Sequence, residues 1–429
     1  MLHIKIIDTN TRIYPYGEKT AHLLGYIQNI SADELKDLQK DGYNQNSIIG
    51  KSGVEKQYEN TLRGIDGTEI IIVDNNGVQK ELLAKKELKN GEDVKLTIDI
   101  DLQNQLYEQF KNDKSVQVAM NYKTGEILAL VSTPTFNSND FSMGITTNKW
   151  NNLKNNESKP LYNRFQATFS PGSSFKPVIG AIGLSTGKLN PEEDLGKNGK
   201  SWQKDSSWGD YKVTTLKEYG GTSNLKNALI NSDNIYFAKV AIKIGAKTME
   251  EQLLKIGFNE SVPNNIGSSK STFGSNSKIE TEVELADTGY GQGKVLVNPI
   301  YMASVYSGFL NEGNMILPYI EYKKTNEAQI WKQQVFTKDA ANTIKEDLIQ
   351  VVESEEGTAH SVKIAEKNIG GKTGTAEIKQ SKDDQEGTEI GWFNVFCEED
   401  SLLIISMVED VKNKGGSHYL LPKIKNILE

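Results

Sequence analysis

The 429-residue chain has a single cysteine, Cys397, so no internal disulfide can hold it together. That residue lies in the apolar run Trp392 to Cys397, which reads as core rather than as a reactive thiol. Histidine is almost as scarce: His3, His22, His360 and His418 are scattered without metal-ligand spacing, and neither a metal nor a cofactor is expected. No apolar run approaches the ~20 residues that cross a bilayer, and no signal peptide precedes the first charged residues. A net charge of −8, with no basic run carrying interleaved aromatics, removes nucleic acid from the expected partners. Internal repeats and low-complexity segments are also missing. What remains, 37% hydrophobic and 25% charged, describes a globular chain long enough for two or three domains and a large core.

Chemistry concentrates in Ser170-Pro171-Gly172-Ser173-Ser174-Phe175-Lys176-Pro177. Pro171 and Gly172 make a turn, and Val178, Ile179, Ile182 and Leu184 then recur at helical spacing, so a helix should begin near Ser173. Pro177 fits the first helical turn, where backbone N–H groups have no intrahelical partner. Residues three apart share a helix face, which brings the Lys176 amine within reach of the Ser173 hydroxyl. That is the layout of an activated nucleophile.

Ser-x-x-Lys alone has little meaning, because four further copies occur at Ser185/Lys188, Ser201/Lys204, Ser223/Lys226 and Ser275/Lys278. Context decides between them. Ser232-Asp233-Asn234, the only Ser-x-Asn in the chain, lies 59 residues beyond Ser173, between a helix ending near Ile230 and another from about Ile235 to Ile244. Lys372-Thr373-Gly374-Thr375 follows 140 residues later, in a strand whose small residues let a ligand backbone approach closely. The earlier Lys123-Thr124-Gly125 sits between the alternating runs Val116 to Asn121 and Glu126 to Val131, where Gly125 makes a hairpin turn. A phosphate loop ending in Lys372 is excluded, since its first glycine would stand at Glu366. Gly289-Tyr290-Gly291-Gln292-Gly293 lacks the spacing and the preceding strand of a dinucleotide site.

The three motifs, in this order, resemble the signature of penicillin-binding proteins and serine β-lactamases. The chain is most similar to class B penicillin-binding proteins of the low-affinity, β-lactam-resistance type found in Gram-positive bacteria. That likeness also rests on Asn163-Arg164-Phe165-Gln166, the tryptophan stretch 202 to 209, and Asp233. The resemblance implies a serine D,D-transpeptidase that cross-links peptidoglycan stem peptides, with a D-Ala-D-Ala donor, an amine acceptor and slow acylation by β-lactam antibiotics. By the same resemblance, Ser173, Lys176, Ser232, Asn234 and Lys372 are catalytic, while Asp233, Thr373, Gly374 and Thr375 bind substrate. Backbone amides of Ser173 and Thr375 would form the oxyanion hole. It further implies a glycan-polymerising synthase as partner, an extracytoplasmic location at the cell membrane, and an anchor and upstream domain that this chain lacks. A deacylating Glu-x-x-Leu-Asn is missing, which disfavours a β-lactamase. A β-lactam sensor and a D,D-carboxypeptidase are the alternatives.

The expected fold is α+β, with an antiparallel sheet built from both ends of the second domain and packed on helices. The resemblance makes that sheet five-stranded. Residues 1–92 resemble the non-catalytic pedestal of that family in Gly50-Lys51-Ser52-Gly53-Val54-Glu55 and Leu62-Arg63-Gly64-Ile65-Asp66-Gly67, and the resemblance makes 93–429 the transpeptidase domain. Within the pedestal, Ile70 to Val73 reads as a short strand and Lys85 to Asp93 as a charged connector. Residues 132 to 169 read as a long, asparagine-rich loop. Helices are expected from Asp101, from Asn298-Pro299 through Leu310, and over about Lys338 to Val352.

Overall fold

The apolar runs at the two ends of the second domain, Val116 to Asn121 and Leu402 to Val408, meet in the middle of one sheet. In the computed structural model, which describes residues 11–197, 199–264, 266–325, 327–378 and 387–429, that sheet has five antiparallel strands. Met1 and His3 lie outside the described residues. The strand order is Ile369–Ile378, Thr388–Cys397, Leu402–Val408, Ser115–Asn121 and Ile127–Thr133. Every residue of Leu402–Val408 is buried, because both faces of the sheet are covered, and this is why the strand reads as a continuous apolar run rather than an alternation. Cys397 is buried on its neighbour.

Helix Pro299–Leu310 packs on the central strands and Ile100–Phe110 on the strand Ile127–Thr133. Asn298 and Asp99 cap these helices, each accepting from two following backbone amides. A second group, Lys176–Ser185, Leu225–Ile230, Asn234–Ile244 and Lys338–Glu353, packs together beside the edge strand Ile369–Ile378. Phe175, Val178, Ile179 and Ile182 have no exposed surface, and each such burial contributes about 1.5–3 kcal/mol, enough to fix the short helix that carries Lys176.

The chain divides into two compact units, one running up to Leu96 together with Phe136–Asn155, the other comprising Thr97–Thr135 and Asn156–Glu429. In the first, helix Ala32–Leu38 starts with a capping box between Ser31 and Glu34 and lays Leu35 and Leu38 on Ile30, Tyr43 and Ile49. Tyr26, Phe136, Phe141 and Trp150 form an aromatic cluster.

Two sequence expectations are corrected. Part of the supposed connector is a strand: Gln79–Lys86 pairs with Thr68–Val73, Thr68 opposite Lys86, in a hairpin whose strand residues are all exposed. Its lysines and glutamates hide the strand, because ladder pairing rather than a buried face defines it. The supposed loop 132 to 169 holds helices Ser138–Ser142 and Thr147–Lys154 and a 3-10 turn, Arg164–Gln166. Asn137 and Thr146 cap the two helices, which are too short to show a periodic stripe. Among the described residues no helix is long and apolar enough to cross a membrane.

Candidate active site

Ser173 lies not in an α-helix but in a 3-10 turn, Gly172–Phe175, from which helix Lys176–Ser185 continues with Pro177 in its first turn. Gly172 has φ +52°, and a Cβ there would meet Thr375 O at 2.4 Å, so only glycine lets the turn press against the edge strand. The turn is held from several sides. Gly172 N donates to Gly291 O at 2.9 Å, Trp392 Nε1 to Ser170 O at 2.9 Å, and Tyr306 OH to Ser174 O at 2.6 Å. The glycine-rich stretch 289–293 is thus a backing for this turn. Gly374 meets the turn from the strand side, where a Cβ would fall 2.6 Å from Ser174 N.

Lys176 is completely buried. Its Nζ lies 2.9 Å from Ser173 Oγ, 2.6 Å from Ser232 O, 3.1 Å from Ser232 Oγ and 2.7 Å from Asn234 Oδ1. Asn234 Nδ2 donates to Thr214 O at 2.8 Å, which turns its oxygen toward the lysine. Ser232 O and Asn234 Oδ1 can only accept, so they take two N–H bonds. A neutral amine then has its lone pair left for the serine hydroxyls.

Electrostatics favour that neutral form. Burial, and after it the charge of Lys372, pushes the Lys176 pKa far below the ordinary lysine value, against a smaller opposing pull from Asp233. Lys372 is also fully buried; its Nζ donates to Ser232 Oγ and Thr373 O, both at 3.0 Å, and burial lowers its pKa to about 7.

Ser232 holds φ +57°, an uncommon conformation for a residue with a side chain, at the bend between helices Leu225–Ile230 and Asn234–Ile244. The bend aims its hydroxyl between the two lysines. Ser173, Lys176, Ser232, Asn234 and Lys372 therefore form one hydrogen-bonded cluster. The other expected residues border it. Thr373 Oγ1 donates to Thr358 Oγ1 at 2.8 Å, and Thr375 Oγ1 bonds Ser417 Oγ at 3.2 Å. Asp233 faces inward: Oδ1 caps the following helix through the amides of Ile235 and Tyr236, and Oδ2 accepts from Tyr219 OH at 3.0 Å.

The rival motif copies sit elsewhere. Lys204 pairs with Glu282 and Lys278 with Glu250, and Lys123-Thr124-Gly125 is a hairpin turn with Gly125 at φ +87°. Trp202 and Trp208 pack edge to face at 5.4 Å, and Trp208 Nε1 donates to Glu282. Sequence reasoning missed Thr214, Tyr219, Thr358, Ser417 and His418, none of which stands in a motif. His418 is exposed at the surface of its turn, and the partial burial of its ring, followed by the Lys372 charge, lowers its pKa.

A family model described as "Penicillin binding protein transpeptidase domain" matches residues 116–429, and one described as "Penicillin-binding Protein dimerisation domain" matches residues 2–96. The chain is 43% identical over 419 residues to Penicillin-binding protein 3 of Bacillus subtilis, covering 97% of this chain and 62% of that protein. It is 31% identical over 395 residues to Peptidoglycan D,D-transpeptidase MrdA of Acinetobacter baumannii, covering 88% and 58%. It therefore spans about three fifths of the length of these relatives. Among solved structures, a complex between the penicillin-binding protein PBP2 and MreC from Helicobacter pylori matches with a TM-score of 0.84 and 25% identity, over 97% of this chain and 78% of that one. Pseudomonas aeruginosa PBP2 in complex with WCK 5153 matches with a TM-score of 0.80 and 25% identity, over 97% and 89%.

Proposed function

The chain belongs to the class B penicillin-binding proteins, and from that premise we propose that it is a serine D,D-transpeptidase acting on peptidoglycan stem peptides, with Ser173 as nucleophile. The observation that carries this reading is the buried Lys176 amine, 2.9 Å from Ser173 Oγ with two acceptor-only oxygens on its other side. The Ser173 oxygen bonds to the carbonyl carbon of the penultimate D-alanine as its proton passes to Lys176. The bond to the terminal D-alanine breaks, and its nitrogen gains a proton through Ser232. An amine from a neighbouring stem peptide then attacks the ester, forming the cross-link and returning a proton to Ser173.

In this reading Asn234 fixes Lys176 and the flank of the substrate. Lys372, Thr373 and Thr375 receive the terminal carboxylate, and Gly374 leaves room for the substrate backbone. The amides of Ser173 and Thr375 stabilise the oxyanion, a role worth about 3 kcal/mol per donor. Asp233 contributes through the helix it caps. A β-lactam would acylate Ser173 by opening its ring, with no leaving group departing; slow acylation and β-lactam resistance belong to the same proposal. Residues 1–92 would be the non-catalytic module and 93–429 the transpeptidase domain. The work would be done at the extracytoplasmic face of the cell membrane, beside a glycan-polymerising synthase, although the H. pylori relative was solved with MreC.

Intact-protein mass spectrometry after benzylpenicillin tests the nucleophile: the wild type should gain one penicilloyl group, and Ser173→Ala none while keeping its melting temperature. Stoichiometric labelling of the alanine variant would refute the assignment. Release of D-alanine from a stem-peptide analogue separates the alternatives. A transpeptidase releases it with transfer to an added amine, a carboxypeptidase releases it equally without one, and a sensor releases none.

A further inference from the structure

Two backbone carbonyls outside the three motifs keep the site in shape. Thr214 O turns the Asn234 amide so that its oxygen faces Lys176, and Gly291 O holds Gly172 at the head of the nucleophile turn. Thr214 ends the excursion 201–214, whose ladder, Ser201–Trp202 against Val213–Thr214, is too short to hold itself together in water. The excursion is fastened to helix Glu282–Thr288 as well. Lys204 and Trp208 Nε1 reach Glu282 at the start of that helix, and Tyr211 OH donates to Asp287 Oδ1 near its end. Tyr290 OH donates to the same oxygen, and the two phenol oxygens stand 3.0 Å apart. Tyr290, only 8% exposed, immediately precedes Gly291. The backbone there is held too, with the Tyr290 and Gln292 amides donating to Asp287 O at 3.2 and 3.0 Å. Gly291 takes φ +74°, and a Cβ on it would fall 2.1 Å from Gly172 O.

Both phenols keep their protons at working pH, because burial, and after it the Asp287 charge, raises their pKa values above the ordinary tyrosine value. One carboxylate oxygen thus receives O–H bonds from two residues 79 positions apart, each on a segment that carries one of the two carbonyls. We propose that Asp287 is a positioning residue of the active site: through Tyr211 it sets the Thr214 carbonyl that aims Asn234 at Lys176, and through Tyr290 it sets the Gly291 carbonyl that holds the nucleophile turn. The proposal rests on the transpeptidase reading above, in which Lys176 takes the Ser173 proton. The two arms act on different members of the cluster, so their signatures separate.

Second-order acylation rate constants for benzylpenicillin, read by mass spectrometry against pH, test both arms. Tyr211→Phe and Tyr290→Phe each keep the ring and delete one donor, and each should slow acylation about three- to ten-fold, the range of one hydrogen bond. In an Asn234→Ala background Tyr211→Phe should lose nothing further, since it acts through Asn234, whereas Tyr290→Phe should lose as much as it does in the wild type. Tyr211→Phe should also move the acid limb of the profile down by about half a pH unit, because an oxygen no longer aimed at Nζ stabilises the ammonium less. The charges that face Lys176, those of Lys372 and Asp233, are the same in every variant, and Tyr290→Phe should leave the limb in place. Asp287→Ala should combine the two losses; should it fail to fold, the tyrosine variants carry the test. An unchanged rate in either tyrosine variant, an equal Tyr211→Phe loss with and without Asn234, or a fixed acid limb in Tyr211→Phe overturns the proposal. Absence of acylation in the wild type would instead remove the reading beneath it.

Discussion

Replacing Lys372 by methionine removes a buried ammonium while keeping a side chain of similar length. Lys372 has no exposed surface, and burial lowers its pKa from the ordinary 10.5 to about 7. The unfolded chain binds the proton up to about pH 10.5 and the folded chain only up to about 7, so between these values the unfolded state holds more protons and stability rises with pH. Below about 7 both states are protonated and the whole penalty is present. At about 1.4 kcal/mol per pH unit over that interval, the penalty is about 5 kcal/mol. Methionine also forfeits the hydrogen bonds to Ser232 Oγ and Thr373 O, about 1 kcal/mol each. The difference, about 3 kcal/mol in favour of Lys372→Met at pH 6, corresponds to about 6 °C in melting temperature at about 2 °C per kcal/mol for a body of this size. Calorimetry at pH 6, 8 and 10 should show the variant melting higher, with the gap shrinking toward pH 10, while covalent labelling by penicillin is lost. A variant that melts lower at pH 6, or a gap indifferent to pH, would refute the argument that this lysine is held at the expense of stability.

The two lysines also set the pH profile of acylation. The second-order rate constant for benzylpenicillin should climb from acid pH as Lys176, with its depressed pKa, gives up its proton, and decline above about 7 as Lys372 loses the charge that faces the carboxylate. A monotonic rise to pH 10 would mean that Lys176 titrates as an ordinary lysine. Asn234→Ala removes the oxygen 2.7 Å from Lys176 Nζ and the tether to Thr214, and stopped-flow acylation should slow about ten- to hundred-fold. An unchanged rate would show that Ser232 O alone holds the amine.

Much of the cluster was legible because its chemistry is local in sequence. Ser173 and Lys176 stand one turn apart, Asp233 caps the helix that Asn234 begins, and Gly374 sits in a strand with small neighbours. Longer elements, such as Pro299–Leu310 and Lys338–Glu353, announce themselves by caps and stripes. Short helices after Asn137 and Thr146 do not, and Gln79–Lys86 is a strand only by virtue of its partner. Ser417 and Thr358 carry no signal at all, because their partners Thr375 and Thr373 are 42 and 15 residues away.

By itself the sequence determined which groups could gather: a hydroxyl and amine one turn apart, an amide behind a cap, and a lysine on a strand with small neighbours. Local spacing and backbone chemistry suffice for that. Tertiary structure alone decided their charge and aim, since the pKa of a lysine depends on how completely water is excluded and on which other charges lie nearby. Packing buries Lys176 and Lys372 on either side of Ser232, and three glycines, Gly391, Gly415 and Gly416, bring Ser417 against Thr375. Neither relation is written in any short stretch of the chain.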